Sequence, residues 1–239
     1  MKIVSFKICP FVQRVTALLE AKNKSYEVEY INLSDKPEWF LQISPNAQVP
    51  ILITNENEVL FESDALVEYI EEVVPETLFD PSPVIKTQER AWSYLASKHY
   101  LVQCSAQRSN NKEILIERSE KLKKAFEKLD QRLTGNKFFN GGTIGMVDIA
   151  WLPLLHRAAI IEANSGYDFI GSFGKVKALQ ENILGSGLCE KSVSKDFEER
   201  FGAFYLSEET YLGQCMKSKK GEPCCGESEC TDKDFECCA

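Results

Sequence analysis

The chain has 239 residues, 44% of them hydrophobic and 27% charged, which is a composition typical of folded globular proteins. Its formal net charge of −8 argues against a broad basic surface, and therefore against a nucleic-acid or anionic-lipid partner. No apolar run approaches the ~20 residues of a membrane-spanning helix, and the apolar stretch at the N-terminus is too short for a signal peptide. We therefore expect a cytoplasmic protein that binds neither nucleic acid nor membrane.

The first 80 residues alternate between strand and helix patterns. A strand is predicted at residues 2–6, a helix from Phe11, a strand around Val28, a helical turn at residues 36–40, strands at 49–53 and 59–61, and a helix from Ala65 that ends before Pro75. This order is a βαβ unit followed by a hairpin and a helix. It suits a small mixed sheet with helices packed on it, as in a thioredoxin-like module.

After a linker marked by Pro75, Pro81 and Pro83, the strand patterns disappear. Apolar residues at helical spacing predict helices within residues 87–108, 115–133, 147–161, 173–184 and 192–204. We therefore predict α/β plus all-α architecture. Its parts are a thioredoxin-like domain at residues 1–80, a linker at 81–86, an all-helical domain at 87–212 and a cysteine-rich tail at 213–239.

The nine cysteines are distributed unevenly along the chain. Only Cys9, Cys104 and Cys189 lie in the first 189 residues, and the other six fall between Cys215 and Cys238. A disulfide framework would be spread through the fold that it holds together. We therefore expect a reduced main body and a cysteine-rich C-terminal segment.

The segment Cys9-Pro10-Phe11 is the strongest candidate for chemistry. Proline is common at the first position of a helix, so Cys9 is predicted to lie at the positive end of the first helix. Free N–H groups and the helix dipole there favour a thiolate, although a small buried hydrophobe is the alternative. Val12 replaces the second cysteine of a Cys-x-x-Cys motif, so an external thiol such as glutathione would have to resolve a mixed disulfide at Cys9.

The segment Cys9-Pro10-Phe11-Val12-Gln13-Arg14 resembles the active-site segment of cysteine-type glutathione transferases. The similarity is greatest to the omega class, and it extends to dehydroascorbate reductases and chloride-intracellular-channel proteins. Further matching motifs follow in order at residues 32–40, 44–50 and 60–63. The resemblance has specific motifs through residue 80 and weaker ones to about residue 210.

The resemblance implies that Cys9 is the catalytic residue and that glutathione is the co-substrate. It also implies a cis peptide bond before Pro50 that presents the backbone of Val49 to the cysteinyl amide of glutathione. The alternative is an ordinary trans proline that opens an edge strand.

Two further contacts to glutathione are implied at the ends of the ligand. Glu62 would hold the ammonium group and Ser63 the carboxylate of the γ-glutamyl residue, although a helix cap is an alternative role for the pair. Lys36 matches a basic residue that pairs with the glycyl carboxylate, where the residue alone suggests a solvated lysine. Phe11 would pack beside the ligand or in the core.

Residues 141–148 resemble the capping segment before the long core helix of the family. Ser or Thr normally stands three residues before the aspartate and completes a capping box. Here Gly145 takes that place and offers no side-chain oxygen, so Asp148 is expected to hold the turn by itself. His99 and His156 lie in apolar helical patterns, so we expect core or surface roles for them.

The function predicted from the sequence is that of an omega-like, glutathione-dependent thiol transferase. It would reduce glutathionyl mixed disulfides, or dehydroascorbate, through a mixed disulfide at Cys9, with weak conjugation of electrophiles. The resemblance also implies a homodimer. One alternative is a non-catalytic regulatory or binding protein on the same scaffold. Another is metal or redox sensing through the cysteine-rich tail, while no metal site is predicted in the main body.

Overall fold

The computed structural model describes the backbone of residues 1–219 and the side chains as far as Cys215. Its four strands form one mixed sheet in the order β2-β1-β3-β4. The strands are β1 (Lys2–Ser5), β2 (Glu27–Tyr30), β3 (Ile51–Ile53) and β4 (Val59–Phe61). Strands β1 and β2 are parallel, and β3 runs antiparallel to both of its neighbours. The predicted thioredoxin-like sheet is confirmed.

The predicted helical domain in the second half of the chain is confirmed for the described residues. The helices are α1 (Pro10–Ala21), α2 (Glu38–Ile43), α3 (Ser63–Val73), α4 (Pro83–Ser97), α5 (Tyr100–Gln107), α6 (Lys112–Arg132), α7 (Met146–Ser165), α8 (Gly174–Leu184), α9 (Leu188–Lys191), α10 (Phe197–Tyr205) and α11 (Tyr211–Lys219).

The strand directions bring four connections to one edge of the sheet. Since β1 and β2 are parallel while β3 is antiparallel to β1 and β4, the carboxyl ends of β1, β2 and β4 meet the amino end of β3. Cys9 follows β1, Lys36 follows β2, Pro50 precedes β3 and Glu62 follows β4. Candidate residues that are distant in sequence therefore share this edge.

Alternation along the strands builds a core on each face of the sheet. Ile3 and Leu52 belong to the main core, which includes the apolar faces of α1 and α3. Their neighbours Val4 and Ile51 pack with Phe40 of α2 on the opposite face. This alternation is the reason that a short β-type run could be placed in a sheet from the sequence.

Helix α7 joins the two halves of the chain. It is buried along most of its length and packs against α4, α8 and α11, and also against α1 of the sheet domain. At its start, the Gly145 and Phe139 N–H groups each donate to a carboxylate oxygen of Asp148 over 2.9 Å. Asp148 is buried, which raises its pKa to about 6. The predicted capping role of Asp148 is confirmed.

The helix predicted within residues 87–108 is in fact two helices. Helix α4 ends at Ser97 and α5 begins at Tyr100. Between them, the Nδ1 of His99 donates to the carbonyl oxygen of Leu95 over 2.7 Å, while the His99 N–H turns to Ala96. The imidazole N–H of His99 thus takes the place of a backbone N–H at the end of α4. The spacing of apolar residues could not predict this helix end.

The boundary predicted at Gly213 falls inside helix α11, so the expectation of an irregular tail is wrong for residues 213–219. Leu212, Gly213 and Cys215 are buried. A Cβ at Gly213 would lie 2.1 Å from the carbonyl oxygen of Ser207, so this glycine permits a close backbone approach rather than a turn. The rest of the predicted tail, residues 220–239, lies outside the described residues, as do its cysteines.

No helix among the described residues is long and apolar enough to cross a membrane. Within the same part of the chain, no group of three or more His, Cys, Asp or Glu side chains is placed to hold a metal ion.

Candidate active site

A pocket of about 340 Å³ opens at the sheet edge where the four connections meet. We call it the Cys9 pocket. All of the predicted site residues line it, namely Cys9, Phe11, Lys36, Val49, Pro50, Glu62 and Ser63. The lining also includes Asp64, Leu33 and Leu101. Residues chosen from separate motifs therefore border one cavity.

Cys9 directly precedes helix α1, and Pro10 is the first helical residue, as predicted. The backbone N–H groups of Phe11 and Val12 and the positive charge of Arg157 lower the pKa of the thiol. Burial opposes them and dominates, because it raises the pKa of Cys9 to about 11. The surroundings of Cys9 therefore favour the thiol over the thiolate, and the expected reactivity of Cys9 stays a prediction.

Arg157 of helix α7 holds the segment that leads into Cys9. Its guanidinium is fully buried and donates through Nη2 to the carbonyl oxygen of Ile8 over 3.2 Å. Through Nη1 it donates to the carbonyl oxygen of Pro153 over 3.0 Å and to Oε1 of Gln13. The sequence analysis missed this residue. The signal for it was a cation inside an otherwise apolar helix, where a buried charge needs a specific role.

His156 is a packing residue beside this arginine. Its Nδ1 lies 2.9 Å from Nε2 of Gln13, and its ring stacks on Phe197 with 5.4 Å between centroids. Burial, with a smaller contribution from the charge of Arg157, lowers the pKa of His156 to about 3. The imidazole is therefore neutral and accepts the hydrogen bond from Gln13, and the predicted core role is confirmed.

Cys104 of helix α5 and Tyr205 of helix α10 both interact electrostatically with Cys9. Burial, with a further contribution from Cys104, raises the pKa of the Tyr205 hydroxyl well above its ordinary range. The proximity of Cys104 also raises the pKa of Cys9, whereas the charge of Arg157 lowers it.

The start of helix α3 has an unusual backbone. Glu62 has a φ of 68°, a left-handed conformation that costs energy for a residue with a side chain and is frequent at binding sites. Its Oε1 accepts a hydrogen bond of 2.9 Å from Nδ2 of Asn46. Ser63 follows as the first residue of the helix and is buried. The first N–H groups of α3 and the Ser63 hydroxyl are suited to hold a carboxylate.

Asp64 adds a carboxylate that the sequence analysis did not single out. It lines the pocket and pairs with the buried guanidinium of Arg14 from helix α1. The hydroxyl of Ser97 in helix α4 donates to its Oδ1 over 3.5 Å. The ion pair joins helices α1 and α3, and the hydrogen bond from Ser97 adds helix α4. The Asp64 side chain remains 48% exposed.

The remaining residues complete the wall of the pocket. The Val49–Pro50 peptide bond is cis, as the resemblance implies. The hydroxyl of Ser44 accepts from the N–H of Gln48 over 3.0 Å and donates to its carbonyl oxygen over 3.1 Å, which fixes the residue before Val49. Phe11 packs its ring edge to face with Tyr100, 5.1 Å between centroids, and also lines the cavity.

Comparison with known proteins gives consistent matches over both halves of the chain. Residues 3–77 match the model of the glutathione S-transferase N-terminal domain, and residues 115–179 match that of the C-terminal domain. The chain is 33% identical over 171 residues to glutathione S-transferase omega-1 of Rattus norvegicus, an alignment that covers 70% of this chain and 71% of the relative.

Two other proteins extend the similarity. The chain is 28% identical over 179 residues to the probable glutathione S-transferase DHAR1, cytosolic, of Oryza sativa subsp. japonica, with 74% of this chain and 79% of the relative covered. Among solved structures, glutathione transferase Omega 3C of Trametes versicolor superposes with a TM-score of 0.69 at 25% identity, covering 81% of this chain and 89% of that one.

Proposed function

Because the chain belongs to the glutathione S-transferase family, we propose that the Cys9 pocket binds glutathione and that Cys9 exchanges thiols with it through a mixed disulfide. The reaction is a reduction of glutathionyl mixed disulfides or of dehydroascorbate, with conjugation of electrophiles as a weaker activity. The observation that carries this proposal is the order of polar groups along the sheet edge.

Lys36 follows β2 at one side of the sheet, Cys9 and the cis peptide bond before Pro50 belong to the two central strands, and Glu62 and Ser63 follow β4 at the other side. Three strand spacings separate β2 from β4, which is about 14 Å. An extended tripeptide spans about 10 Å, and the γ-linkage of glutathione adds length.

The charges along this line match those of the ligand. Lys36 would pair with the glycyl carboxylate, and the backbone of Val49 would bind the cysteinyl amide beside Cys9. Ser63 and the first N–H groups of α3 would bind the γ-glutamyl carboxylate, and Glu62 the ammonium group. The fixed position of Glu62 Oε1 on Asn46 supports the last contact.

The proposed exchange needs only the mixed disulfide, Cys9 and glutathione as reactants. In the first step Cys9 attacks the glutathione sulfur of a mixed disulfide, the Cys9–glutathione bond forms, and the other thiol leaves with the proton from Cys9. In the second step a second glutathione thiolate attacks the same glutathione sulfur, and oxidised glutathione and Cys9 are released. The net reaction converts the mixed disulfide and one glutathione thiol into the free acceptor thiol and oxidised glutathione, whereas the two-electron reduction of dehydroascorbate consumes two glutathione thiols.

Burial of Cys9 has a consequence for the rates of these steps. A thiol with a raised pKa forms a good nucleophile but a poor leaving group. The same burial that disfavours the thiolate does not penalise the uncharged disulfide. A raised pKa therefore leaves little thiolate for the first step and makes Cys9 a poor leaving group in the second, and we infer that both steps are slower than with a thiol of ordinary pKa.

The test is turnover of one preparation on three substrates, namely the mixed disulfide of glutathione with 2-mercaptoethanol, dehydroascorbate, and chlorodinitrobenzene. We expect the first two to be reduced faster than the third is conjugated, with activity lost in Cys9→Ser and kept in Cys189→Ala, the matched control. Conjugation faster than reduction would overturn the thiol-transferase assignment. Retention on immobilised glutathione without turnover of any substrate would support the non-catalytic alternative.

A homodimer and a cytoplasmic location are the remaining parts of this proposal. Both rest on family membership. Light scattering of the purified protein should give twice the mass of the chain, and the mass of a single chain would overturn the dimer.

A further inference from the structure

The loop between helices α6 and α7, residues 133–145, contains the only Asn-Gly dipeptide of the sequence, Asn140-Gly141. In such a pair the backbone nitrogen of the glycine can attack the side-chain amide carbon of the asparagine, because glycine has no Cβ to hinder the approach. The attack closes a succinimide ring, and hydrolysis of the ring leaves a carboxylate in place of the amide. The dipeptide is therefore a candidate site of spontaneous covalent modification.

The backbone around Asn140 is exposed and irregular, as ring closure requires. Asn140 is exposed, and the loop forms neither helix nor strand. The N–H of Gly141 donates to the carbonyl oxygen of Phe138 over 3.3 Å, which is longer than most hydrogen bonds of this type. The attacking nitrogen is thus held by a single weak bond outside regular secondary structure, and it can leave that bond to reach the amide carbon.

A cavity of about 320 Å³ adjoins the dipeptide. Asn140 and Gly141 line it together with Asp80, which precedes helix α4, Glu89 of α4 and Asp148 of α7. We call it the Glu89 cavity. An opening of this size admits the water that hydrolyses a succinimide.

Asn140 also holds a buried carboxylate in place. Its Nδ2 donates to Oε1 of Glu89, while the N–H of Asp80 donates to Oε2 over 3.0 Å. Glu89 is only 4% exposed, and burial raises its pKa against the effect of the two donors. One donor comes from the connection between α3 and α4, and the other from the loop before α7. Glu89 therefore joins both segments to helix α4.

Negative charge surrounds the position that deamidation would change. Asp80 raises the pKa of Glu89, and Glu89 raises that of Asp148, so the three carboxylates lie close enough to repel one another. The charge of Lys86 opposes this effect at Glu89. A carboxylate at position 140 would remove a donor from a buried carboxylate and add a like charge beside it, which is costly on both counts.

We propose that Asn140 deamidates spontaneously and that the carboxylate formed there detaches the loop before α7 from Glu89. In the first step the Gly141 nitrogen bonds to Cγ of Asn140, and the amide nitrogen leaves as ammonia with the proton of the Gly141 N–H. In the second step water opens the ring at either carbonyl carbon and leaves aspartate or isoaspartate. One water is consumed, and no oxidant or reductant is needed. Since Cys9 takes no part, the proposal stands or falls separately from the proposed function.

The first test measures deamidation of the full chain at pH 8 and 37 °C by peptide mass spectrometry. Asn136 is the internal reference, because it is exposed in the same loop and is followed by lysine. We expect Asn140 to convert at least about tenfold faster than Asn136, to a mixture of aspartate and isoaspartate. Conversion of Asn140 no faster than that of Asn136 would overturn the proposal.

Two glycine variants test the mechanism. A Cβ at Gly141 or at Gly142 would have nothing within 4 Å, so neither Gly141→Ala nor Gly142→Ala is expected to disturb the loop by a clash. Gly141→Ala should slow conversion of Asn140 by about tenfold, because the Cβ hinders attack by the same nitrogen. Gly142→Ala is the matched control and should leave the rate unchanged. A rate that survives Gly141→Ala would contradict attack by the Gly141 nitrogen.

The consequence for the fold is tested with Asn140→Asp, which carries the product carboxylate from the start. It should lower the equilibrium constant for folding at pH 7 by about tenfold or more, since a donor to a buried carboxylate is replaced by repulsion. Asn140→Ser removes the amide without adding charge and should cost less. Asn136→Asp adds a carboxylate to the same loop, at a residue that does not hydrogen-bond to Glu89, and should change little. Equal unfolding midpoints for Asn140→Asp and Asn136→Asp would overturn the proposed detachment.

Discussion

Arg157 Nη2 lies 3.2 Å from the carbonyl oxygen of Ile8, the residue before Cys9. The contact joins the central helix of the second domain to the turn that carries the reactive sulfur. The other acceptors of Arg157 are the Pro153 carbonyl and the Gln13 amide, which are uncharged. No carboxylate forms an ion pair with Arg157 in the described part of the chain, and its positive charge lowers the pKa of the Cys9 thiol.

Arg157→Gln should slow the reaction of Cys9 with iodoacetamide at pH 8. Loss of the charge raises the pKa of the thiol further, and half a pKa unit corresponds to about a threefold loss of thiolate. Arg157→Lys keeps the charge and should lose less. If Arg157 only holds the fold, both variants would slow the reaction equally at every pH, and this account of the residue would be wrong.

The pH dependence of Cys9 alkylation tests the balance between burial and the helix N-terminus. Since burial raises the pKa of the thiol to about 11, the rate in the wild type should rise about tenfold per pH unit from pH 7 to pH 9. The rate is followed by mass spectrometry of the Cys9 peptide, with free glutathione as the reference thiol. A plateau below pH 7 would show that the N–H groups and Arg157 outweigh burial.

Asp148 is expected to stabilise the start of helix α7. Its carboxylate accepts the N–H groups of Phe139 and Gly145, and glycine offers no side chain to replace it. Asp148→Ala should cost on the order of 1–2 kcal/mol of the free energy of unfolding, measured with denaturant at pH 7. Activity per folded molecule should be preserved, and an unchanged midpoint would contradict the capping role.

The pH dependence of this contribution has a definite sign. The pKa of Asp148 is about 6 in the folded protein, above the ~3.9 of an unfolded aspartate, so the folded state holds the proton more tightly. The stability difference between the wild type and Asp148→Asn should therefore fall as the pH rises from about 4 to about 6, by on the order of 2–3 kcal/mol. An increase over that interval would show that the hydrogen bonds outweigh burial.

Two glycines offer a matched test of the C-terminal boundary. A Cβ at Gly213 would meet the backbone of Leu206 and Ser207 at 2.1–2.5 Å, whereas a Cβ at Gly202 would have nothing within 4 Å. Gly213→Ala should destabilise the protein by at least about 2 kcal/mol, and Gly202→Ala should stabilise it by about 0.5–1 kcal/mol. Equal unfolding midpoints would mean that α11 does not belong to the cooperative fold.

The features that the sequence predicted well are those carried by short segments. The strand around Val28 was recognisable from its period-2 alternation, and Cys9 could be placed because Pro10 marks the helix start. The residues of the Cys9 pocket came from separate motifs, such as those around Pro50 and Glu62. Only the resemblance to a known family assigned these residues to one site. The strand directions give the physical reason that they lie at one edge of the sheet.

The features that the sequence did not predict depend on contacts between distant residues. Arg157 acts on Ile8, which is 149 positions away, and no local period reports such a pair. The raised pKa of Cys9 follows from burial, which outweighs the effect of the N–H groups at the start of helix α1. The first residues of the predicted tail belong to helix α11, where Gly213 permits a close approach to the backbone of Ser207 that the sequence does not reveal.

The central claim is that Cys9 carries the reaction as a mixed disulfide with glutathione. The most direct measurement is peptide mass spectrometry of the wild type and Cys9→Ser after exposure to oxidised glutathione under native conditions. One added glutathione is expected on the Cys9 peptide, and reduced glutathione should remove it at least as fast as the enzyme turns over. A Cys9 peptide that keeps its free thiol, in a protein that nevertheless reduces mixed disulfides, would contradict it.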